Sequence, residues 1–146
     1  MSDLIDNRKA YHEYHVLDKL EAGIQLTGTE VKSCRGRHIT MTDAYARVDG
    51  SEVFLYNVHI SPYAQGNREN HEPKRPRKLL LHKSEIRKLA VTTKQRGLTL
   101  IPLAFYLKKG RFKVLLGTCK GKTGADKRES LKKRDIQKEL RKVVRR

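Results

Sequence analysis

Ala44-Tyr45-Ala46-Arg47-Val48-Asp49-Gly50-Ser51-Glu52-Val53-Phe54-Leu55-Tyr56-Asn57-Val58 is the stretch that decides the fold. Apolar and β-branched residues flank an Asp-Gly pair, which supplies the positive φ angles of a tight turn. The stretch predicts a β-hairpin. Leu98 to Leu107 and Phe112 to Leu116 form a second apolar pair around Lys109-Gly110 and predict another. Tyr14-His15-Val16-Leu17 adds a short β-prone run.

Around these hairpins the periodicity changes. Ile86, Leu89 and Ala90 have helical spacing, starting near Ser84-Glu85 and ending at Gly97, a suitable C-terminal cap. Thr29 to Arg35 predicts a shorter helix with Val31 and Cys34 facing inward. Ser61 to Lys78 holds Pro62, Gly66, Asn67, Asn70, Pro73 and Pro76, which predicts a long loop. Two hairpins, an additional strand and covering helices give a mainly β fold with flanking helices. At this size an oligonucleotide-binding (OB)-type β-barrel is the natural candidate.

The chain has 146 residues and a net charge of +17. Its length predicts one domain. The charge is uneven: residues 120–146 carry twelve basic and four acidic side chains, no aromatic residue and few large apolar ones. That divides the chain into a barrel, 1–119, and a basic C-terminal tail, 120–146. Ile136, Leu140, Val143 and Val144 would form one narrow apolar strip on a helix, against a high density of like charge. The tail is therefore expected to be disordered when free and helical on a polyanionic surface.

No window approaches the ~20 apolar residues of a membrane span. Met1-Ser2-Asp3-Leu4-Ile5-Asp6 has neither the basic nor the apolar part of a secretory signal, so a cytoplasmic protein is expected. Cys34 and Cys119 are too few for a disulfide framework, and no second pair joins His12 and His15 at ligand spacing. No metal, cofactor or catalytic site is expected. A strongly basic domain of this kind meets polyanions, above all RNA or DNA.

Lys74-Arg75-Pro76-Arg77-Lys78 places four cations in five residues, held extended by proline, where they can follow a phosphate backbone. Tyr11-His12-Glu13-Tyr14-His15 mixes rings and imidazoles beside Asn7-Arg8-Lys9, a composition suited to stacking on unpaired bases. Strand alternation puts Tyr14 and His15 on opposite faces, so one of them belongs to the core.

These segments together resemble the SmpB (small protein B) family, the bacterial partners of transfer-messenger RNA. The resemblance lies in Asn7 to Tyr14, Glu21-Ala22-Gly23-Ile24, Gly28-Thr29-Glu30-Val31-Lys32-Ser33 and His59-Ile60-Ser61-Pro62-Tyr63. It continues through Gly66-Asn67 to Asn70, Arg75 to Lys83, Leu98 to Leu103, Lys120-Gly121-Lys122 and Asp126-Lys127-Arg128. The stretches are in order and cover nearly the whole chain.

The resemblance implies a non-enzymatic adaptor of trans-translation, the rescue of stalled ribosomes. The barrel would bind the tRNA-like domain of transfer-messenger RNA and support its alanylation, meeting alanyl-tRNA synthetase only indirectly. Elongation factor Tu with GTP would carry the complex through the RNA. The tail would occupy the empty A site, decoding centre and message channel. A monomer is expected.

Asn7, His12, Tyr14, Glu21, Leu80 and Lys113 fall at family positions linked to RNA binding. Arg8, Arg75, Arg77, Lys78, Lys120, Gly121 and Lys122 complete the expected RNA contacts. Asp126, Lys127, Arg128, Lys132, Arg134, Ile136, Lys138, Arg141 and Val143 would meet the ribosome. Ala125 departs from relatives with a ring at that position, so stacking there must be absent or done by another residue. The rival reading is a structural ribosomal protein with a permanently buried basic extension. A metal-dependent RNase is a distant third.

Overall fold

The computed structural model describes residues 5–64, 70–129 and 131. Its strands are β1 (Ile5–Asp6), β2 (Tyr14–Ile24), β3 (Ile39–Thr40), β4 (Tyr45–Asp49), β5 (Glu52–Tyr56), β6 (His59–Ile60), β7 (Arg77–Leu80), β8 (Thr99–Lys108) and β9 (Arg111–Gly121). The helices are α1 (Arg8–Glu13), α2 (Gly28–Arg35) and α3 (Lys83–Arg96), and residues 124–129 are also helical.

The main sheet runs β1-β8-β4-β5-β7-β2-β9, and β9 pairs back onto β8. That pairing closes the sheet into a barrel of the expected OB type and leaves β3 and β6 as a separate two-stranded pair. Closure protects the strand edges and creates one interior. Val53, Leu55, Leu79, Leu100, Phe105, Val114 and Leu116 fill it, each 2% exposed or less. Ile86 and Leu89 of α3 join the same core.

Both predicted hairpins form. In the first, Asp49 pairs with Glu52, so the turn residues are Gly50 and Ser51 rather than Asp49 and Gly50. Gly50 supplies the positive φ, at 63°. In the second, Lys109 and Gly110 both take positive φ, 51° and 77°, between the paired Lys108 and Arg111. Two consecutive left-handed residues match the right-handed twist of the strands they join. α3 ends where expected, with Gly97 left-handed at φ 60°.

Several elements differ from the sequence reading: β7 takes in Arg77 and Lys78, expected to be the end of a loop. The run at Tyr14 is the beginning of an eleven-residue strand. Before it lies α1, an unexpected six-residue helix that buries only Ala10. In α2 the inward residues are Glu30, Ser33 and Cys34, with Val31 half-buried.

α1 covers a smaller apolar cluster of Ala10, Ile101, Leu103 and Cys119, against which Tyr11, Tyr14 and Val16 pack. Beside it, the β8–β9 register shifts between Pro102 and Ala104. Pro102 has no amide hydrogen to give the ladder. Asn7 serves this irregular stretch: its amide donates to Leu103 O at 2.8 Å and its Nδ2 to Pro102 O at 2.8 Å. Its side-chain oxygen accepts from Ala10 N at 3.3 Å and caps α1.

β9 continues to Gly121, which carries the barrel two residues past the boundary expected at 119. Helix 124–129 then begins inside the segment expected to lack structure when free. The reading of a folding tail otherwise falls on residues 132–146, outside the described residues. Among the described residues no helix is long and apolar enough to cross a membrane.

Candidate nucleic-acid interface

Four expected RNA contacts from three strands line one open concavity of about 670 Å³: Glu21 of β2, Lys78 and Leu80 of β7, and Lys113 of β9. The sheet register brings them together. β2 pairs with both β7 and β9, placing Gly23 opposite Leu80 on one side and opposite Lys113 on the other. Leu80 is 52% exposed, an aliphatic side chain held in solvent between charged neighbours. A Cβ at Gly23 would sit 3.1 Å from Leu80 Cβ, so glycine there leaves room for the leucine.

Glu21 is held ionised. The Tyr106 hydroxyl donates to its Oε2, and Lys108 Nζ lies 3.3 Å from each oxygen. The Tyr106 hydrogen bond lowers its pKa most; burial opposes this, and Lys108 and Lys113 reinforce it. The Tyr106 hydroxyl is pushed up to about 12 by burial and by the same carboxylate. Lys78 Nζ meets Glu52 Oε1 at 3.0 Å, and Lys113 is half-buried. The concavity thus offers carboxylates (Glu21, Glu52 and Glu85), ammonium groups (Lys78, Lys83 and Lys113) and an apolar patch.

A second group gathers where α1 meets the end of β9. Tyr14 pairs with Gly121, and Lys122 N donates to Glu13 O at 2.8 Å. Arg8, Lys120 and Gly121 are exposed; His12 and Tyr14 are half-buried, Tyr14 against the α1 cluster. Lys122 Nζ bonds Tyr11 O at 3.0 Å. Lys19 Nζ stands 5.5 Å from the centre of the Tyr11 ring.

Two expected RNA contacts belong to the interior instead. Asn7 is 8% exposed and has the capping role given above. Arg77 is fully buried. It shares the inward face of β7 with Leu79, and its guanidinium is consumed by the fold. Nε donates to Glu30 Oε2, Nη1 to Val58 O at 2.7 Å and Nη2 to Pro73 O at 3.0 Å. No phosphate can reach it.

Arg75, 35% exposed at its side chain, meets the other Glu30 oxygen at 2.6 Å. Thr27 N donates to that oxygen at 2.9 Å. Burial pushes the Glu30 carboxyl up most strongly, but Arg75, Thr27 and Arg77 together hold it below the usual carboxylate range. Burial lowers Arg77, and Glu30 opposes that shift. Cys34 beside this lock is pushed up to about 12, chiefly by burial, which leaves it an inert thiol. Sequence reasoning missed Glu30, Tyr106 and Lys108. Thr27-x-x-Glu30 carried a capping-box signal for the first; the other two had none.

Asp126 and Lys127 are half-buried and Arg128 is exposed on helix 124–129. Lys132, Arg134, Ile136, Lys138, Arg141 and Val143 lie outside the described residues. Among the described residues, no three His, Cys, Asp or Glu side chains converge as a metal site would require.

The family model described as SmpB protein matches residues 4–146. An SsrA-binding protein of Carboxydothermus hydrogenoformans is 56% identical over 142 residues, 97% of this chain and 95% of the relative. One from Caldicellulosiruptor saccharolyticus is 57% identical over 138 residues, 94% of this chain and 87% of the relative. A solved chain from the study "tmRNA-SmpB: a journey to the center of the bacterial ribosome" superposes with a TM-score of 0.72 at 44% identity. It covers 88% of this chain and 94% of its own. The barrel, its basic extension and the match along nearly the full length lead to one assignment: the chain belongs to the SmpB protein family.

Proposed function

We propose that the chain is a non-enzymatic RNA-binding adaptor of trans-translation, which binds the tRNA-like domain of transfer-messenger RNA and acts with it on stalled ribosomes. The observation that carries this reading is the convergence of Glu21, Lys78, Leu80 and Lys113 on one concavity. A charge footprint alone would need only cations. Here a fixed carboxylate and an aliphatic side chain stand among them.

In this reading Lys78 and Lys113 meet phosphates and set the RNA's position. Glu21 accepts hydrogen bonds from base amino groups or a ribose 2′-hydroxyl, which a phosphate cannot offer. Tyr106 and Lys108 keep it charged and oriented for that purpose. Leu80 packs against an unstacked base or a sugar. Arg8, His12, Lys120, Gly121 and Lys122 extend the contact along the α1–β9 patch. Binding there supports alanylation by steadying the RNA's fold, and the RNA in turn carries elongation factor Tu with GTP. The segment from Asp126 onward enters the empty A site and message channel, in place of a codon–anticodon pair.

The test is competition binding near physiological salt, with labelled transfer-messenger RNA challenged by excess bulk tRNA. Charge cannot distinguish the two. Retention of the labelled RNA is expected. Equal displacement would move the structural ribosomal protein to the front. Truncation before Asp126 should then leave RNA binding nearly intact while abolishing peptide tagging of stalled chains.

A further inference from the structure

The junction between barrel and tail contains a contact outside the proposed RNA-binding residues. β9 ends at Gly121, opposite Tyr14, and the chain remains fastened for one more residue through Lys122 N and Glu13 O at 2.8 Å. A reciprocal cap then starts helix 124–129. Thr123 N donates to Asp126 Oδ2 at 3.1 Å, and Asp126 N donates to Thr123 Oγ1 at 3.2 Å. The same Oδ2 lies 3.2 Å from His15 Nε2 on β2. One carboxylate oxygen therefore serves both the helix start and the barrel wall.

We propose that His15 is a positioning residue for the C-terminal segment: by holding Asp126 it fixes the direction in which that segment leaves the barrel. The cap alone can start the helix, but it links Thr123 only to Asp126 and says nothing about where the helix points. Gly124 supplies no restraint, since a Cβ there would meet nothing within 4 Å. His15 ties the helix to β2 through this contact. The pair is partly exposed, 44% and 38% at the two side chains, so it is a releasable contact rather than a buried lock. The functional consequence rests on the adaptor reading above: a segment already aimed by the barrel has fewer directions to search when it meets the ribosome.

Cys34 and Cys119 are buried, so cysteines introduced at the exposed Ser51 and Leu131 can carry spin labels selectively. In the otherwise unaltered chain, a single narrow distance is expected between them. His15→Ala and Asp126→Asn should each broaden it, and the double variant should be no broader than Asp126→Asn alone. His15→Arg, which restores a donor, should restore the narrow distance. Thermal unfolding of His15→Ala should stay unchanged, separating positioning from folding. In stalled-ribosome tagging, His15→Ala should lower the yield severalfold at unaltered affinity for transfer-messenger RNA.

A narrow distance surviving in His15→Ala overturns the proposal. So does broadening with no loss of tagging, in a chain whose unaltered form tags. If the unaltered chain does not tag at all, the adaptor reading fails instead, and the distances still decide for or against the His15 contact.

Discussion

Glu30 and Glu21 are both carboxylates held below their usual pKa by cations or a hydroxyl, yet they serve opposite ends. Glu30 is fully buried and its oxygens are taken by Arg75, Arg77 and the Thr27 amide. Glu21 lines an open concavity, and its partners are one hydroxyl and an exposed ammonium. The first fastens α2 and the approach to β7 onto the barrel. The second keeps acceptor capacity for a visitor. A cation next to a carboxylate therefore identifies neither structure nor binding. What separates the two is whether solvent, and hence a ligand, can reach the group.

The sharpest way to break the comparison is Glu30→Ala. It would leave the Arg77 guanidinium buried without its counter-ion, which costs about 3–5 kcal/mol. Urea unfolding should show a loss of that order, while the RNA affinity of whatever remains folded is unchanged. The pH dependence has a definite sign. Glu30 is depressed in the folded state, so its stabilising contribution is complete above the unfolded carboxylate pKa of ~4.3 and is lost as pH falls through the folded value. The variant should lack that acid limb. A loss below about 1 kcal/mol would mean that other contacts hold Arg77 and that the lock is dispensable.

Leu80→Asp probes the other side. The side chain is half in solvent, so surface behaviour is expected, with stability changed by no more than about 0.5 kcal/mol. RNA affinity should fall on the order of tenfold, equivalent to ~1.4 kcal/mol, because an anion replaces an apolar contact beside Lys78 and Lys113. Thermal unfolding and a binding isotherm on the same sample separate the two. Collapse of stability would return Leu80 to the core and dissolve the contrast with Arg77.

How the sequence revealed these regions follows from how local their causes are. Gly50 and Lys109-Gly110 mark turns by their own backbone preferences, so both hairpins were legible. α1 was not: it has six residues, buries only Ala10 and owes its start to Asn7, whose other partners are at Met41 and Pro102. Arg77 was readable by parity and was misjudged. It stands two residues before Leu79, so a strand that buries one buries the other. Treating 61–78 as loop discarded that alternation. Glu21, Leu80 and Lys113 came from family resemblance alone. No spacing in the chain joins them, because β2, β7 and β9 meet only through the closed sheet. The His15–Asp126 contact was invisible for the same reason.

Tyr106→Phe makes the smallest change and asks whether Glu21 is held for a purpose. Removing one hydroxyl leaves the packing of a ring that is 7% exposed nearly intact. The Glu21 side chain is 37% exposed, so solvent screening limits the stability loss to about 0.5–1 kcal/mol. The difference between the two proteins should form a plateau. On the acid side it disappears as Glu21 protonates, since that carboxyl is depressed in the folded state and its contribution is lost as pH falls through the folded value. On the alkaline side the Tyr106 hydroxyl is raised to about 12, so its contribution is complete below the unfolded tyrosine pKa of ~10 and is lost as pH rises from there through the folded value. NMR titration of Glu21 should show its midpoint moving upward in Tyr106→Phe. If Tyr106 orients Glu21 for RNA, affinity should also fall at neutral pH, where Lys108 still keeps the carboxylate charged. An upward shift with unchanged affinity would make Tyr106 a stabiliser of the barrel wall and leave orientation to Lys108.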